Sequence, residues 1–218
     1  MEIHKPKPWH GVREFLKEYL IIVVGVLTAL GAEQVAELAH QAAEVHEARA
    51  SLQAEIKANI SVIVWGIEED RCLLSQMDAY GAWARGGPKP ARLRSILPQF
   101  GTSSWDTVKA SAVTHMPLHE RLMLAELYDG LANQQKVIDL QRSNSLVLFG
   151  AHERNALNPS DAGRVLDAVA NERAMADFYT GNGKALLAKA ADMGVRPPAL
   201  APDEREALAV LCGHGSPS

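Results

Sequence analysis

The chain has 218 residues, 47% hydrophobic and 22% charged, with 22 Lys and Arg against 26 Asp and Glu for a net charge of −4. That much apolar side chain can form a core, which excludes disorder throughout, and a weakly negative chain is no footprint for nucleic acid. With 16 Gly, 11 Pro and 2 Cys, collagen-like and disulfide-dense classes fall away too. The length suits one domain plus an appendage. Ala and Leu dominate, and both favour helices because they lose little side-chain entropy there.

Residues 19–32 read YLIIVVGVLTALGA and carry no charge. At 1.5 Å per residue they cover about 21 Å, short of the roughly 30 Å hydrocarbon core. Phe15 and Leu16 lengthen the run backwards, Lys17 can snorkel to headgroups, and Val35 extends it forwards. Trp9 and Tyr19 suit interfacial anchoring. The reading is a basic cytoplasmic N-terminus over 1–14 and a transmembrane helix over 15–35, with the bilayer as its first partner. Lys5, Lys7, Arg13 and Lys17 precede the run, and the next basic residue is Arg49. This asymmetry predicts a bacterial inner-membrane protein whose C-terminal domain is periplasmic. Two other readings stand beside the anchor: a cleaved signal peptide with Ala29-Leu30-Gly31 as its small-x-small site, and a soluble protein with a buried helix. No turn-forming residue follows the run, which speaks against cleavage. Gly25, Ala29 and Ala32 lie on one side at steps of four and three. They are expected to pack a second copy of the chain or another membrane protein.

Residues 36–87 predict one long amphipathic helix. Val35, Leu38, Ala42, Val45, Leu52, Ile56, Ile60, Ile63, Ile67, Leu74 and Met77 recur at steps of three, four or seven, interrupted by Arg49. The spacing has coiled-coil character. Glu37, Glu44, Glu47 and Glu55 mark the opposite face, Gly66 is a candidate kink, and Gly86-Gly87-Pro88 is a stop signal. Residues 88–213 are expected to complete the bundle. They begin with a Pro-rich connector in which ARLRSIL predicts a short helix. Ser103 or Ser104 is expected to cap a helix from about Trp105 to Met116. Pro117 opens an amphipathic helix to about Asn155, and Ser160 is expected to cap the next, with Gly181-Asn182-Gly183 interrupting or ending it. A short last helix and a frayed tail over 214–218 follow. The fold class is all-α: an N-terminal transmembrane helix continuing into a long helix that packs in an extramembrane bundle.

The succession Trp9, Phe15-Leu16-Lys17-Glu18, residues 21–27 and Ala29-Leu30-Gly31-Ala32-Glu33-Gln34 resembles the opening of a group of uncharacterised bacterial membrane-anchored helical proteins. Trp105-Asp106-Thr107-Val108 followed by Leu127-Tyr128 is similar to that group as well. The resemblance implies topology and transfers no site.

Chemistry-bearing motifs are sparse. There is no GxSxG, SxxK, P-loop or HEXXH, so the chain is not expected to be an enzyme and no cofactor is expected. His115 and His119 are separated by a Met-Pro break, and His40 and His46 fall on different helix faces, so no metal site is expected. Glu68-Glu69-Asp70 predicts a solvated face, because consecutive acids point in different directions on a helix. Cys72 and Cys212 are either bridged, as an exported domain permits, or two buried thiols. Trp105, Asp106 and Lys109 form the one polar group expected to line a pocket or a partner surface. Two functions follow: a single-pass anchored scaffold or interaction subunit, or an extracytoplasmic helical ligand-binding sensor that signals through a partner.

Overall fold

A computed structural model of the chain describes residues 11–212. Trp9, most of the basic N-terminus and the 214–218 tail lie outside the described residues. Helix takes up 80% of the described residues and no strand occurs among them, which excludes any sheet-based class. There are five α-helices: α1 (Val12–Ala84), α2 (Ser103–Val108), α3 (Leu118–His152), α4 (Pro159–Asp192) and α5 (Pro202–Leu211), with a 3-10 turn at Ala112–His115. The chain divides into two compact units between Glu47 and Ala48, so α1 contributes to both.

In the first unit, α1 leaves the apolar side chains from Phe15 to Leu38 largely open. Phe15 is 64% exposed and Ile22 64%, and no residue of its most apolar 18-residue window is buried.

The second unit is a bundle of three long helices. Its core follows a heptad-like alternation of threes and fours on each. On α1 this seam runs through Leu52, Ile56, Asn59, Ile63, Gly66, Asp70, Leu73, Met77 and Tyr80, with Ile60, Glu69 and Cys72 buried beside it. On α3 it runs through Leu124, Leu127, Leu131, Gln134, Ile138, Gln141, Ser145 and Leu148, with Tyr128 and Val137 buried beside it, and on α4 through Val165, Val169, Glu172, Ala176, Tyr179, Gly183, Leu186 and Ala190. This is knobs-into-holes spacing with polar residues set into it. Gly66 serves an approach rather than a break, since a Cβ there would lie 2.3 Å from the Tyr179 hydroxyl.

α1 ends where the Gly-Gly-Pro signal predicts. Gly86 takes a φ of +95°, its N–H reaches Trp83 O, and the Gly87 N–H reaches Ala82 O. That is a Schellman motif, which satisfies the last carbonyls of the helix.

Four local expectations are corrected. ARLRSIL is not helical, and residues 88–100 run as an irregular strap along α1. The helix at Trp105 ends at Val108, well before Met116. α4 is capped by Asn158, whose side chain accepts from the Asp161 N–H at 2.9 Å with Pro159 in the first turn, rather than by Ser160. α4 also passes unbroken through Gly181-Asn182-Gly183. There the absent side chain of Gly183 admits Ile63, whose Cγ2 would be 3.0 Å from a Cβ.

The strap stays unwound because α1 satisfies its backbone with side chains. The Leu93 N–H donates to the Tyr80 hydroxyl at 3.0 Å, and Gln76 accepts from the Arg94 N–H and donates to the Arg94 carbonyl. Glu69 accepts from the Ile96 N–H, and Asn59 bonds both the N–H and the carbonyl of Gly101. From Tyr80 to Glu55 the helix axis spans about 37 Å. The chain from Leu93 to Ser104 can reach at most about 40 Å, so the strap is nearly fully stretched.

Candidate functional site

Three polar arrangements stand out in the bundle. The first lies where the strap enters α2. Thr102, the residue before α2, gives no side-chain cap. The Glu55 carboxylate of α1 caps α2 instead, accepting from the Ser104 N–H at 2.7 Å and the Trp105 N–H at 3.1 Å. Tyr128 of α3 donates its hydroxyl to the same carboxylate at 2.7 Å. Trp105 stacks flat on the Tyr128 ring, centroids 4.7 Å apart and planes 7° from parallel. Burial pushes the Glu55 carboxyl up, but the bonds from Tyr128, Ser104 and Trp105 outweigh it and leave it below the ordinary range. Of the three residues the sequence singled out, Trp105 is half-buried in this cluster. Asp106 and Lys109 pair with each other on the surface at 2.6 Å, and Asp106 also accepts from the Thr102 hydroxyl. The group therefore divides: Trp105 is a structural anchor and the two charges face solvent.

The second arrangement is a surface cavity of about 250 Å³ between α1, α3 and the end of α4. Leu52, Ile56 and Leu124 form an apolar floor, and His119 and Asp192 stand at its rim. Arg49 and Glu120 close one side as a two-pronged pair, at 2.8 and 2.7 Å. The hydrogen bond to Arg49 holds the Glu120 carboxyl below its ordinary value. Arg49, which breaks the apolar stripe in the sequence, is thus an ion-pair partner rather than a core residue.

The third corrects the expectation of a solvated acidic face. Glu69 and Asp70 are 5% and 6% exposed, and Glu172 is 0% exposed. Glu69 is well compensated, accepting from Trp65 Nε1 at 3.1 Å, Ser95 Oγ at 3.0 Å and the Ile96 N–H. Asp70 and Glu172 are not. Gln141 Nε2 donates to Asp70 at 3.4 Å and Ser145 Oγ to Glu172 at 3.5 Å, both at the long limit of hydrogen bonding, and the Thr180 hydroxyl beside Asp70 adds a further weak donor. Asp70 Oδ2 and Glu172 Oε2 are buried with no partner at all. Burial drives the Asp70 carboxyl up to about 7, with the charges of Glu69 and Asp177 adding to the shift. Burial likewise drives Glu172 up to about 8, reinforced by the charge of Asp70. A neighbouring polar layer is fully paired: Gln134 donates to the Tyr179 carbonyl at 2.9 Å and accepts from Asn182 at 2.6 Å.

The structure places Cys72 of α1 and Cys212, just past α5, as a bonded pair with Cα atoms 4.8 Å apart. That spacing lies inside the usual disulfide range. Gly25, Ala29 and Ala32 are exposed on α1. No cluster of three or more His, Cys, Asp or Glu suited to a metal ion occurs among the described residues. No protein-family model matches the chain, and no match was found among curated proteins or solved structures.

The sequence reading missed Glu55, Tyr128, Gln141 and Glu172. For Gln141 and Glu172 the signal was present as spacing, since each occupies a heptad position between apolar ones; Glu55 and Tyr128 sit beside the seam and carry no such signal.

Proposed function

We propose that this chain is a single-pass membrane protein, its N-terminus cytoplasmic, presenting a helical domain outside the cytoplasm as a scaffold or interaction subunit. The observation that carries the reading is the N-terminal stretch of α1. Leu20, Ile21, Ile22 and Leu27 are 60–64% exposed, as suits side chains meant for lipid rather than for a protein core. A helix apolar on all sides has no stable place in water. The four basic residues ahead of it, against none before Arg49, set the orientation. The Cys72–Cys212 pairing supports export, since disulfides persist in oxidising compartments such as the periplasm.

Lipid is then one partner, and a second copy or another membrane protein is the other, met along Gly25, Ala29 and Ala32. The sensor reading draws on the cavity of about 250 Å³ beside Arg49, which has an apolar floor and polar rim residues. It ranks second, because the Arg49 guanidinium is already engaged by Glu120.

Reporter fusions test the topology. Alkaline phosphatase joined after residue 60 is expected to be active outside the cytoplasm, and joined at residue 10 inactive. Release of the intact chain from membranes by alkaline carbonate would overturn the anchor.

A further inference from the structure

Two acids at core positions of a three-helix bundle need a reason, because an ionised carboxylate away from water is costly unless it is paired. Neither has a cation. Around Asp70 and Glu172, α3 offers only the neutral Gln141 and Ser145. α4 adds Asp177 and Thr180 beside Asp70, and α1 adds Glu69. Tyr179 of α4 stays a neutral phenol, pushed up by burial and by the charges of Asp70 and Glu69. Arg71 and Lys184 are exposed, and Arg71 is engaged by Glu68 at 2.6 Å. The surroundings are thus neutral or acidic. Gln141 and Ser145 stand one turn apart on α3 and bracket the two acids, and each acid keeps one oxygen without a donor.

A hydrogen carried by one or both acids would supply the missing partner. A protonated carboxyl brings its own donor and removes the charge. A route for exchange exists: a surface cavity of about 250 Å³ between α1 and α4 reaches Asp70 past Asp177, Thr180 and Lys184.

We propose that Asp70 and Glu172 form a proton-binding site that keeps α1, α3 and α4 closed while protonated and loosens the α1–α4 seam when both acids are ionised. The site is occupied at neutral and mildly acidic pH and empties under alkaline conditions, consistent with the upward displacement of both acids. For a carboxyl held above its unfolded value, the folded chain binds the extra proton. The site's contribution to stability is therefore fully present below the unfolded carboxyl value and falls as pH rises toward the folded value. The site lies within the second unit and does not depend on the membrane reading.

The test is a thermal melt of the full chain in detergent, followed by helical circular dichroism between pH 6 and pH 9. Wild type is expected to lose roughly 5 °C or more across that range. The Asp70→Asn, Glu172→Gln double variant imitates the protonated pair and is expected to lose most of that dependence. Hydrogen exchange, corrected for intrinsic rates, is expected to quicken in residues 165–180 of wild type at pH 9 and not in the variant. A folded double variant with the wild-type pH profile would overturn the proposal. So would a wild-type melting point at pH 8.5 raised by millimolar calcium or magnesium chloride and not raised in the variant, which would make this a cation site. Should the double variant fail to fold, infrared spectroscopy of wild type decides. Protonated-carboxyl absorption is expected at pH 6.5 and lost by pH 9, and its absence at pH 6.5 would end the idea.

Discussion

Ile22 and Ile60 belong to the same helix, yet Ile22 is 64% exposed and Ile60 is 0% exposed. The acids divide the same way. Glu33 and Glu37 stand in the open, whereas Glu55 caps another helix and Glu69 holds a strap. Helix propensity alone does not separate the two stretches, since both are helical and rich in β-branched apolar residues. What separates them is where their polar residues sit. In residues 48–84 the buried polar side chains Asn59, Glu69 and Asp70 sit in or beside the seam and meet polar partners in the strap or on α3. In residues 15–32 the apolar residues surround the whole circumference. The first pattern specifies a protein partner position by position, and the second asks only for an apolar medium.

The largest test of this contrast is a matched pair of charges. Ile63→Asp buries an unpaired carboxylate among Ile63's neighbours, at a cost of several kcal/mol, comparable to the stability of a whole domain. The bundle is expected to unfold and become protease-sensitive. Ile22→Asp should leave the bundle folded and protease-resistant, and should weaken membrane retention instead, by about 2.5–3.5 kcal/mol for an Asp at a helix centre. Normal protease resistance of Ile63→Asp would remove this face of α1 from the core.

Next is the Cys72–Cys212 link, which joins positions 140 residues apart. Cys72→Ser is expected to cost about 2–4 kcal/mol, mainly through a freer unfolded chain. Urea unfolding with and without reductant measures it, and identical midpoints would mean that the pair is not bonded in solution.

Glu55→Ala comes third. It strands the Tyr128 hydroxyl and the N–H groups of Ser104 and Trp105, for about 2 kcal/mol. Glu37→Ala, which loses only an exposed bond from Gln41, should stay within about 0.5 kcal/mol of wild type. The Glu55 contribution also has a pH signature. Its carboxyl is held below the ordinary value in the folded chain, so its contribution is in force above the unfolded value and is lost as pH falls through the folded one. Acid titration of the Glu55→Ala variant should therefore show a smaller loss between about pH 5 and pH 3 than wild type.

The helical class, the end of α1 at its Gly-Gly signal and the Pro-opened third helix were all legible, because each rests on local chemistry that tertiary contacts do not override. The core register was legible only in part. The apolar stripe holds at Ile60 and Ile63, both 0% exposed, but Ile67 and Leu74 are only half-buried, since Asn59, Gly66 and Asp70 hold core positions that an apolar pattern skips. The same blindness turned Glu69 and Asp70 into a solvated face. Gly181-Asn182-Gly183 reads as a break by propensity, but Gly183 admits Ile63 and Asn182 reaches Gln134, and those contacts keep α4 continuous. ARLRSIL has helical propensity and stays extended because Tyr80, Gln76 and Glu69 bond its backbone from α1. In each case the deciding partner lies far away in sequence.

The smallest effect concerns the exposed stretch, and it asks whether the medium is lipid alone. Gly25, Ala29 and Ala32 form a strip on which a second helix can approach closely, and a Cβ at Gly25 would meet nothing within 4 Å. In lipid, close backbone approach gains van der Waals contact that lipid chains would otherwise supply, so the net gain is modest. Beyond the bilayer, Ala36, Ala39 and Ala43 prolong the strip into water, where burial of apolar surface adds to it. Gly25→Leu with Ala29→Leu is expected to weaken association in native membranes by about 1–2 kcal/mol, seen as a roughly tenfold loss of crosslinked product at low expression. The bundle should be untouched, with the same melting profile as wild type, because neither residue belongs to it. Unchanged crosslinking would leave lipid as the sole neighbour of this strip. Equal weakening by Ala36→Leu with Ala39→Leu would move the contact to the segment beyond the bilayer.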